Sequence, residues 1–312
     1  MTTGFERYSK KTRRAAFLEE MEQVVPWGEL CALIEPYYPK AGKGRPPVGV
    51  ERMLRSYFLQ QWFNLSDPGV EEGRYDSVVM RQFAGIDLGQ EPVPDETTVC
   101  KFRHLLEEHE MGGEILQTVN LYLQSRGVKI TTGTIVDATV IHAPSSTKNR
   151  EQQRDPEMHQ VRKGKHWYYG MKAHVGVDSK TKMIHSGVAT AANVADSRVL
   201  PELLHGEETK VWGDQAYRGQ TAAILEVAPA AQDLTHKRYR YQHRIEEGER
   251  AKNRNQSRVR SKVEHVFAVM KLQFGFAKVR YRGLRKNANR LFATCGLVNL
   301  FLVRRKLMYR TA

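Results

Sequence analysis

The chain has 312 residues, 40% of them hydrophobic and 27% charged, with a formal net charge of +14. That balance excludes a disordered chain and allows one large or two ordinary globular domains with a real core. Cys31, Cys100 and Cys295 are scattered and form no C-x-x-C pair, which excludes a disulfide framework or a zinc ribbon and fits a reducing compartment.

The charge is unevenly placed. Residues 1–125 carry 14 Lys and Arg against 19 Asp and Glu, whereas residues 126–312 carry 35 against 16. A field this concentrated points to a polyanionic partner, nucleic acid above all, over a merely basic surface. The N-terminal stretch MTTGFERYSKKTRR has no apolar signal core, and the longest uncharged run near the C-terminus, 291–303, has 13 residues. Both fall short of what a secretion signal or a membrane span of roughly 20 apolar residues requires. The expectation is a cytoplasmic protein, nucleoid-associated when bound to DNA, with no membrane partner.

In chain order, residues 14–25 and 27–35 show helical apolar spacing, and GKGRPPVG at 42–49 interrupts it. VERMLRSYFLQQWFNL, at 50–65, predicts an apolar helix. Ser66, Asp67 and Pro68 start another running to about Phe83, and Pro94 and Asp95 cap one over 94–109. A further helix is expected from Glu114 to Gln124. The first 126 residues thus form an expected helical domain, either a helix-turn-helix DNA reader or a dimerisation or packing domain; its acidic balance slightly disfavours DNA contact as its sole role.

After Gly127 the pattern changes, opening an expected α/β domain over 127–312. TGTIVDATVIHA at 132–143 is a β-branched run, and WYYGMKAHVGVD at 167–178 alternates. With the turn SKTK, the latter forms an expected antiparallel hairpin with MIHSGVATAA at 183–192. A helix is expected at 196–206, a short strand ending at Asp214, a helix near 219–227 and another strand near 229–236. Residues 148–165 and 237–256 read as exposed basic loops. Long helices follow, over Ser257–Phe274 and Asn287–Arg305. Three antiparallel strands followed by alternating helix and strand give an α/β sheet covered on both faces, the order of an RNase H-like mixed-sheet core.

Three acids stand out. Asp137 sits inside the apolar strand IVDATVI, where an ionised carboxylate costs several kcal/mol unless it is paired or metal-bound. Asp214 ends a short strand in VWGDQAYRG, a place that commonly supplies site residues. Glu264 is the only acid between Arg250 and Ala312. Each alone has an ordinary explanation: a buried hydrogen bond, a helix cap, a pair with Arg260. Together, on first strand, fourth strand and late helix, they would make an oxygen-ligand site for hard divalent cations, walled by arginines and lysines for a phosphate backbone. His142, His159, His166, His174 and His185 raise a competing His-metal nuclease, but none shows tight ligand spacing. KHWYYG, at 165–170, mixes bases with aromatics and suits either stacking on an unpaired base or packing on the core.

These residues resemble the bacterial DDE transposases of insertion sequences, most closely insertion-sequence family five. The matching stretches are IVDATVI around Asp137, YYGMKAHVGVDSKTKMIHSGVATAANVADS at 168–197, GDQAYRG at 213–219 and RSKVEHVFAVMK at 260–271. Arg260, Glu264 and Lys271 keep the family's spacing of arginine, three residues, glutamate, six residues, lysine. Ser257 stands where related families place a tyrosine. The resemblance implies an RNase H-like core in which Asp137, Asp214 and Glu264 are catalytic and bind Mg²⁺, with Mn²⁺ substituting. It implies nicking at transposon ends and transfer of the free 3′-OH into double-stranded target DNA by a homodimer. Arg260 and Lys271 would contact DNA, with Lys172, Arg218 and Lys262 as further candidates. Two other functions remain open at this point: a DNA-binding protein that has lost catalysis, and a metal-dependent nuclease that cuts without joining.

Overall fold

A computed structural model describes residues 10–44, 46–241 and 244–311. The chain gathers into two compact units, one of Met1–Gln60, Leu65–Leu105 and Val303–Ala312, the other of Gln61–Asn64 and Leu106–Leu302.

The first unit is built on helices α1 (Arg13–Val24), α2 (Trp27–Ile34), α3 (Val50–Phe63), α4 (Asp67–Asp76), α5 (Val78–Phe83) and α6 (Glu96–Glu108). Leu18, Met21, Leu30, Ile34, Leu54, Phe58 and Val70 form its buried interior. The single helix expected from Ser66 to Phe83 is in fact two. Ser77 is extended (φ −103°, ψ 108°), and its hydroxyl accepts the Met80 N–H, so it caps a new helix where the apolar spacing runs on unbroken. Arg74 is fully buried and meets no carboxylate among its hydrogen bonds. It donates to the Val70 carbonyl at 3.0 Å, the Ser56 hydroxyl at 2.6 Å and the Pro94 carbonyl at 2.6 Å, and burial pulls its pKa down to about 10.

The second unit opens with α7 (Met111–Ser125) and a mixed sheet of β1 (Gly133–His142), β2 (His159–Lys163), β3 (His166–Asp178), β4 (Ile184–Ala191), β5 (Lys210–Trp212) and β6 (Gln232–Asp233). The strand order is β2-β3-β1-β5-β6, with β4 also paired to β3. β3 runs antiparallel to β1, β2 and β4, whereas β1, β5 and β6 run parallel to one another. The antiparallel strands β1–β4, continued by the parallel β5 and β6, make an RNase H-like sheet. After β5 come α8 (Thr221–Val227), the small hairpin β7 (Arg240–Tyr241) and β8 (Arg244–Ile245), then α9 (Glu247–Ala268) and α10 (Leu284–Thr311).

Leu200, Leu203, Val211, Tyr217 and Ile224 pack with Val136 of β1 into one buried cluster. Leu291, Ala293, Cys295, Leu297, Val298 and Leu300 of α10 are buried almost all round, as befits a central helix. A buried amide pair ties this helix to the sheet: Asn299 accepts the Ile184 N–H at 2.8 Å and donates to the Ile184 carbonyl at 2.8 Å and to Asn120 at 2.7 Å.

Three expectations change. The segment 148–165 is no free loop: it holds β2, and Asp155 and Glu157 accept the backbone N–H groups of Gly283 and Leu284 at the start of α10. Carboxylates favour a helix N-terminus, with its unpaired donors and positive dipole end. The expected helix at 196–206 is two short 3₁₀ turns, Asp196–Val199 and Pro201–Leu203, separated at Pro201, which has no N–H to carry a helix on. α9 begins at Glu247, ten residues before its expected start, because its first turns are polar on every side and carry no apolar period.

Candidate active site

The register of the parallel strands decides which residues meet. Ile135 of β1 lies opposite Trp212 of β5, so two residues further on Asp137 and Asp214 emerge at the same level. Val211 lies opposite Asp233, and the His236 N–H donates to the Gly213 carbonyl at 3.0 Å. The same level of the next strand is therefore His236. Level with Asp137, in the middle of β1, therefore lie Asp214, two residues past the end of β5, and His236, three residues past the end of β6.

Asp137 is 14% exposed; its carboxylate accepts its neighbour's N–H, from Ala138, at 2.8 Å and the Arg260 guanidinium at 2.8 Å. Burial nevertheless raises its pKa to about 6, against the lowering effects of the Ala138 N–H and Arg260, and the Asp214 charge raises it further. Asp214 accepts the Ala216 N–H at 2.8 Å, so it also caps the turn Gln215–Tyr217. Below the pair, the Tyr217 hydroxyl is buried with no hydrogen-bond partner among the described residues, and burial pushes its ionisation far up.

Glu264 is 64% exposed on α9, and the other arm of Arg260 reaches it at 3.6 Å. The oxygens of Asp137, Asp214 and Glu264 do not form a group within 4.8 Å of one another; Arg260 lies between two of them. The fit to a hard divalent cation rests on chemistry. The donors are carboxylate oxygens, two are neighbours whose charges oppose each other, and one has its ionisation made costly by burial. A cation relieves that conflict, and Arg260 relieves part of it here.

The basic residues divide by burial. Lys172 is only 7% exposed and gives its ammonium to Asp196 at 2.8 Å and the Val194 carbonyl at 2.7 Å. Lys262 donates to the Ser179 carbonyl at 2.6 Å, and Lys271 to the Val140 carbonyl at 2.7 Å on the same strand as Asp137. Arg218 is exposed. Beside Asp214 a cleft of about 780 Å³ is lined by His236, Tyr239, Arg250, Arg254 and Ser257. At the opposite edge, the β2–β3 hairpin carries Lys163, exposed, and Trp167, 65% exposed, with Arg162 opposite Trp167; Lys163 acts electrostatically on Asp137.

Sequence reasoning missed His236. Its ring sits 3.4 Å from the hydroxyl of Ser257, the residue standing in the place of the tyrosine of related families. The only signal was a histidine just past a short apolar segment, where strand ends supply site residues.

An RNase H-like sheet that brings two aspartates side by side within a basic wall defines a protein that works on nucleic acid. Residues 129–300 match the family model described as "Transposase DDE domain", and residues 6–105 match "Transposase domain (DUF772)". The chain belongs to the DDE transposases, and is a DNA transposase by family. Its fold is also similar to the cryo-EM structure of a piggyBac transposase synaptic complex with hairpin DNA, with a TM-score of 0.51 and 10% identity over 94% of this chain and 73% of that one. No helix among the described residues is long and apolar enough to cross a membrane.

Proposed function

We propose that the protein cuts DNA at the ends of its own mobile element and joins the freed 3′-OH to target DNA, as a member of insertion-sequence family five. The observation that carries this reading is the shared level of Asp137, within β1, and Asp214, just past the end of the parallel β5, with Glu264 linked to Asp137 through Arg260. Asp137, Asp214 and Glu264 would hold Mg²⁺, with Mn²⁺ as a substitute. When bound, the metal supplies charge neutralisation and activation of the attacking oxygen. In the first reaction a water oxygen bonds to the scissile phosphorus, and the bond from phosphorus to the 3′ oxygen breaks, leaving a 3′-OH and a 5′-phosphate. In the second, that 3′-OH bonds to a target phosphorus and displaces the 3′ oxygen of the target strand.

The chain's own residues supply the anion-binding wall. Arg260 orients Asp137 and Glu264. Arg218, Lys163 and Arg254 offer exposed charge to the backbone, while the helices of the first unit serve end recognition or dimerisation. Two ends must be paired for transfer, so the working form is a homodimer on DNA.

The test is an assay with Mg²⁺ on DNA carrying the element's inverted repeats. Joined products are expected. Nicks without joining would make the protein a nuclease, and binding without either a DNA-binding protein. The salt dependence of binding gives a second check. Arg218→Ala and Lys163→Ala should each lower the slope of log K against log salt by about 0.9, the release of one counterion. Lys172→Met should leave the slope unchanged, because that ammonium is already committed to Asp196; a fall there would place Lys172 at the DNA.

A further inference from the structure

A second cluster of metal-ligating side chains lies up-strand from the active site and takes no part in it. His185 is the second residue of β4, and His205 and Glu208 lie in the turn leading into β5. Their ligand atoms all lie within 4.8 Å of one another, and the two rings stand edge to face with centroids 4.9 Å apart. His205 Nε2 is 3.3 Å from Glu208 Oε1. The hydroxyl of Thr134, second in β1, is 3.1 Å from His185 Nε2 and 3.0 Å from Glu208 Oε1. Ligands at about 2.0–2.1 Å around a tetrahedral zinc are separated by roughly 3.3 Å, and these three distances, 3.3, 3.1 and 3.0 Å, fall near that edge length.

Charge points the same way. Glu208 is fully buried, and the only ion partner it has among the described residues is His205. No lysine or arginine among the described residues pairs with this buried carboxylate, and a buried carboxylate is held by a partner or a metal. His205 Nε2 is itself buried and has no hydrogen-bond partner among the described residues. The surroundings are set for ligation. Glu208 is oriented by the N–H groups of His205 and Gly206, both at 2.8 Å. His185 Nδ1 lies 2.9 Å from the Ser186 hydroxyl, which leaves Nε2 for the cluster. Outer partners of this kind are what hold metal-binding histidines in place. Ligation through His205 Nε2 moves that ring's proton to Nδ1 and releases the Glu207 N–H, now 3.2 Å away, to water; Glu207 is exposed, so the loss is small.

We propose that His185, His205 and Glu208 form a structural site for a borderline divalent cation, zinc above all, completed by the Thr134 hydroxyl or a water. Two nitrogens and one carboxylate suit zinc and disfavour Mg²⁺, which demands oxygen ligands. The site joins the starts of β1, β4 and β5. It therefore clamps the β1–β5 register about three residues, or about 10 Å, before the level of Asp137 and Asp214.

The test is zinc content and thermal melting of the full-length protein purified without chelator. About one zinc per chain is expected. In the Asp137→Asn background, where the catalytic carboxylates no longer answer to Mg²⁺, EDTA should lower the melting temperature by on the order of 5 °C, and ZnCl₂, but not MgCl₂, should restore it. His205→Gln should lose the zinc, whereas Asp137→Asn should keep it, which separates this site from the catalytic carboxylates. Should His205→Gln not fold, Co²⁺ added to stripped wild-type protein gives the independent readout, an intense visible band of tetrahedral cobalt. Protein that holds no zinc and melts alike with and without EDTA overturns the proposal. So does zinc that is lost with Asp137→Asn and kept with His205→Gln.

Discussion

Replacing Asp137 with Asn is expected to abolish DNA cleavage and at the same time to make the metal-free protein more stable. The loss of activity should reach about a thousandfold or more, because the position would no longer hold a cation where charge develops, an effect of several kcal/mol. Binding of DNA should change little, since the basic wall is intact. The gain in stability follows from the carboxylate's setting. It is 14% exposed, and burial together with Asp214 raises its pKa from 3.8 to about 6 despite the Arg260 guanidinium 2.8 Å away. A raised carboxylate pKa adds stability only while the group is protonated. That contribution is whole below the unfolded value and lost as the pH rises through about 6. At pH 7.5 without metal the ionised group costs on the order of 1–3 kcal/mol, and the neutral amide removes this while keeping an acceptor for the Ala138 N–H. The melting temperature should rise by roughly 2–8 °C in EDTA. The difference from wild type should shrink as the pH falls to 4, and Mg²⁺ should stabilise the wild type alone. Glu264→Gln should also stop cleavage with binding kept, but without the gain in stability, because Glu264 is largely exposed. Cleavage that survives either substitution removes that residue from the catalytic set; an Asp137→Asn protein no more stable than wild type in EDTA means that Arg260 already offsets the burial.

Much of the proposed site could be nominated from the sequence because its anomalies are local. An aspartate within IVDATVI and a lone glutamate in a basic stretch conflict with their immediate neighbours, and the conflict can be read without a fold. Residues whose role depends on register could not be read that way. His236 joins Asp137 and Asp214 only through the pairing of β6 with β5, two residues long in each strand, and its own neighbourhood offers no more than a short apolar segment before it. His205 and Glu208 lie three apart in an unremarkable turn, and become a cluster only when β4 and β1 bring in His185 and Thr134. Lys172 looked like a surface base on an alternating strand. β3, however, is buried on both faces from Gly170 to Asp178, so alternation there does not separate inside from outside. β2 was hidden because HQVRK has one apolar residue, Val161, and owes its extended form to pairing with β3. The opening turns of α9 were hidden for a related reason: with Glu247, Arg250 and Arg254 on its surface, that stretch has no apolar face to give a period.

Two adjacent glycines at the start of α7 should respond to the same substitution with opposite signs. Gly112→Ala is expected to cost on the order of 3–4 kcal/mol, and Gly113→Ala to stabilise by up to about 1 kcal/mol. A Cβ on Gly112 would run into the backbone carbonyl of Asn289 in α10, and backbone cannot swing aside as the end of a side chain can. The Gly112 N–H also donates to the Asn289 side chain at 2.6 Å, satisfying one of the free donors at the start of α7. Pushing the helices apart would therefore lose packing and leave both the N–H and the buried amide of Asn289 unpaired. The cost reaches beyond that contact, because α10 also carries Asn299, whose amide holds the first residue of β4. Gly113 is the control: nothing lies within 4 Å of its added Cβ, so alanine there only relieves the entropy cost of a glycine inside a helix. Thermal melting of the two variants side by side should show Gly112→Ala lowered by roughly 6–15 °C and Gly113→Ala level or slightly raised. Equal melting temperatures would mean that the approach of α7 to α10 is looser than the Gly112–Asn289 contact implies, and that α10 does not hold β4 through a rigid seat on α7.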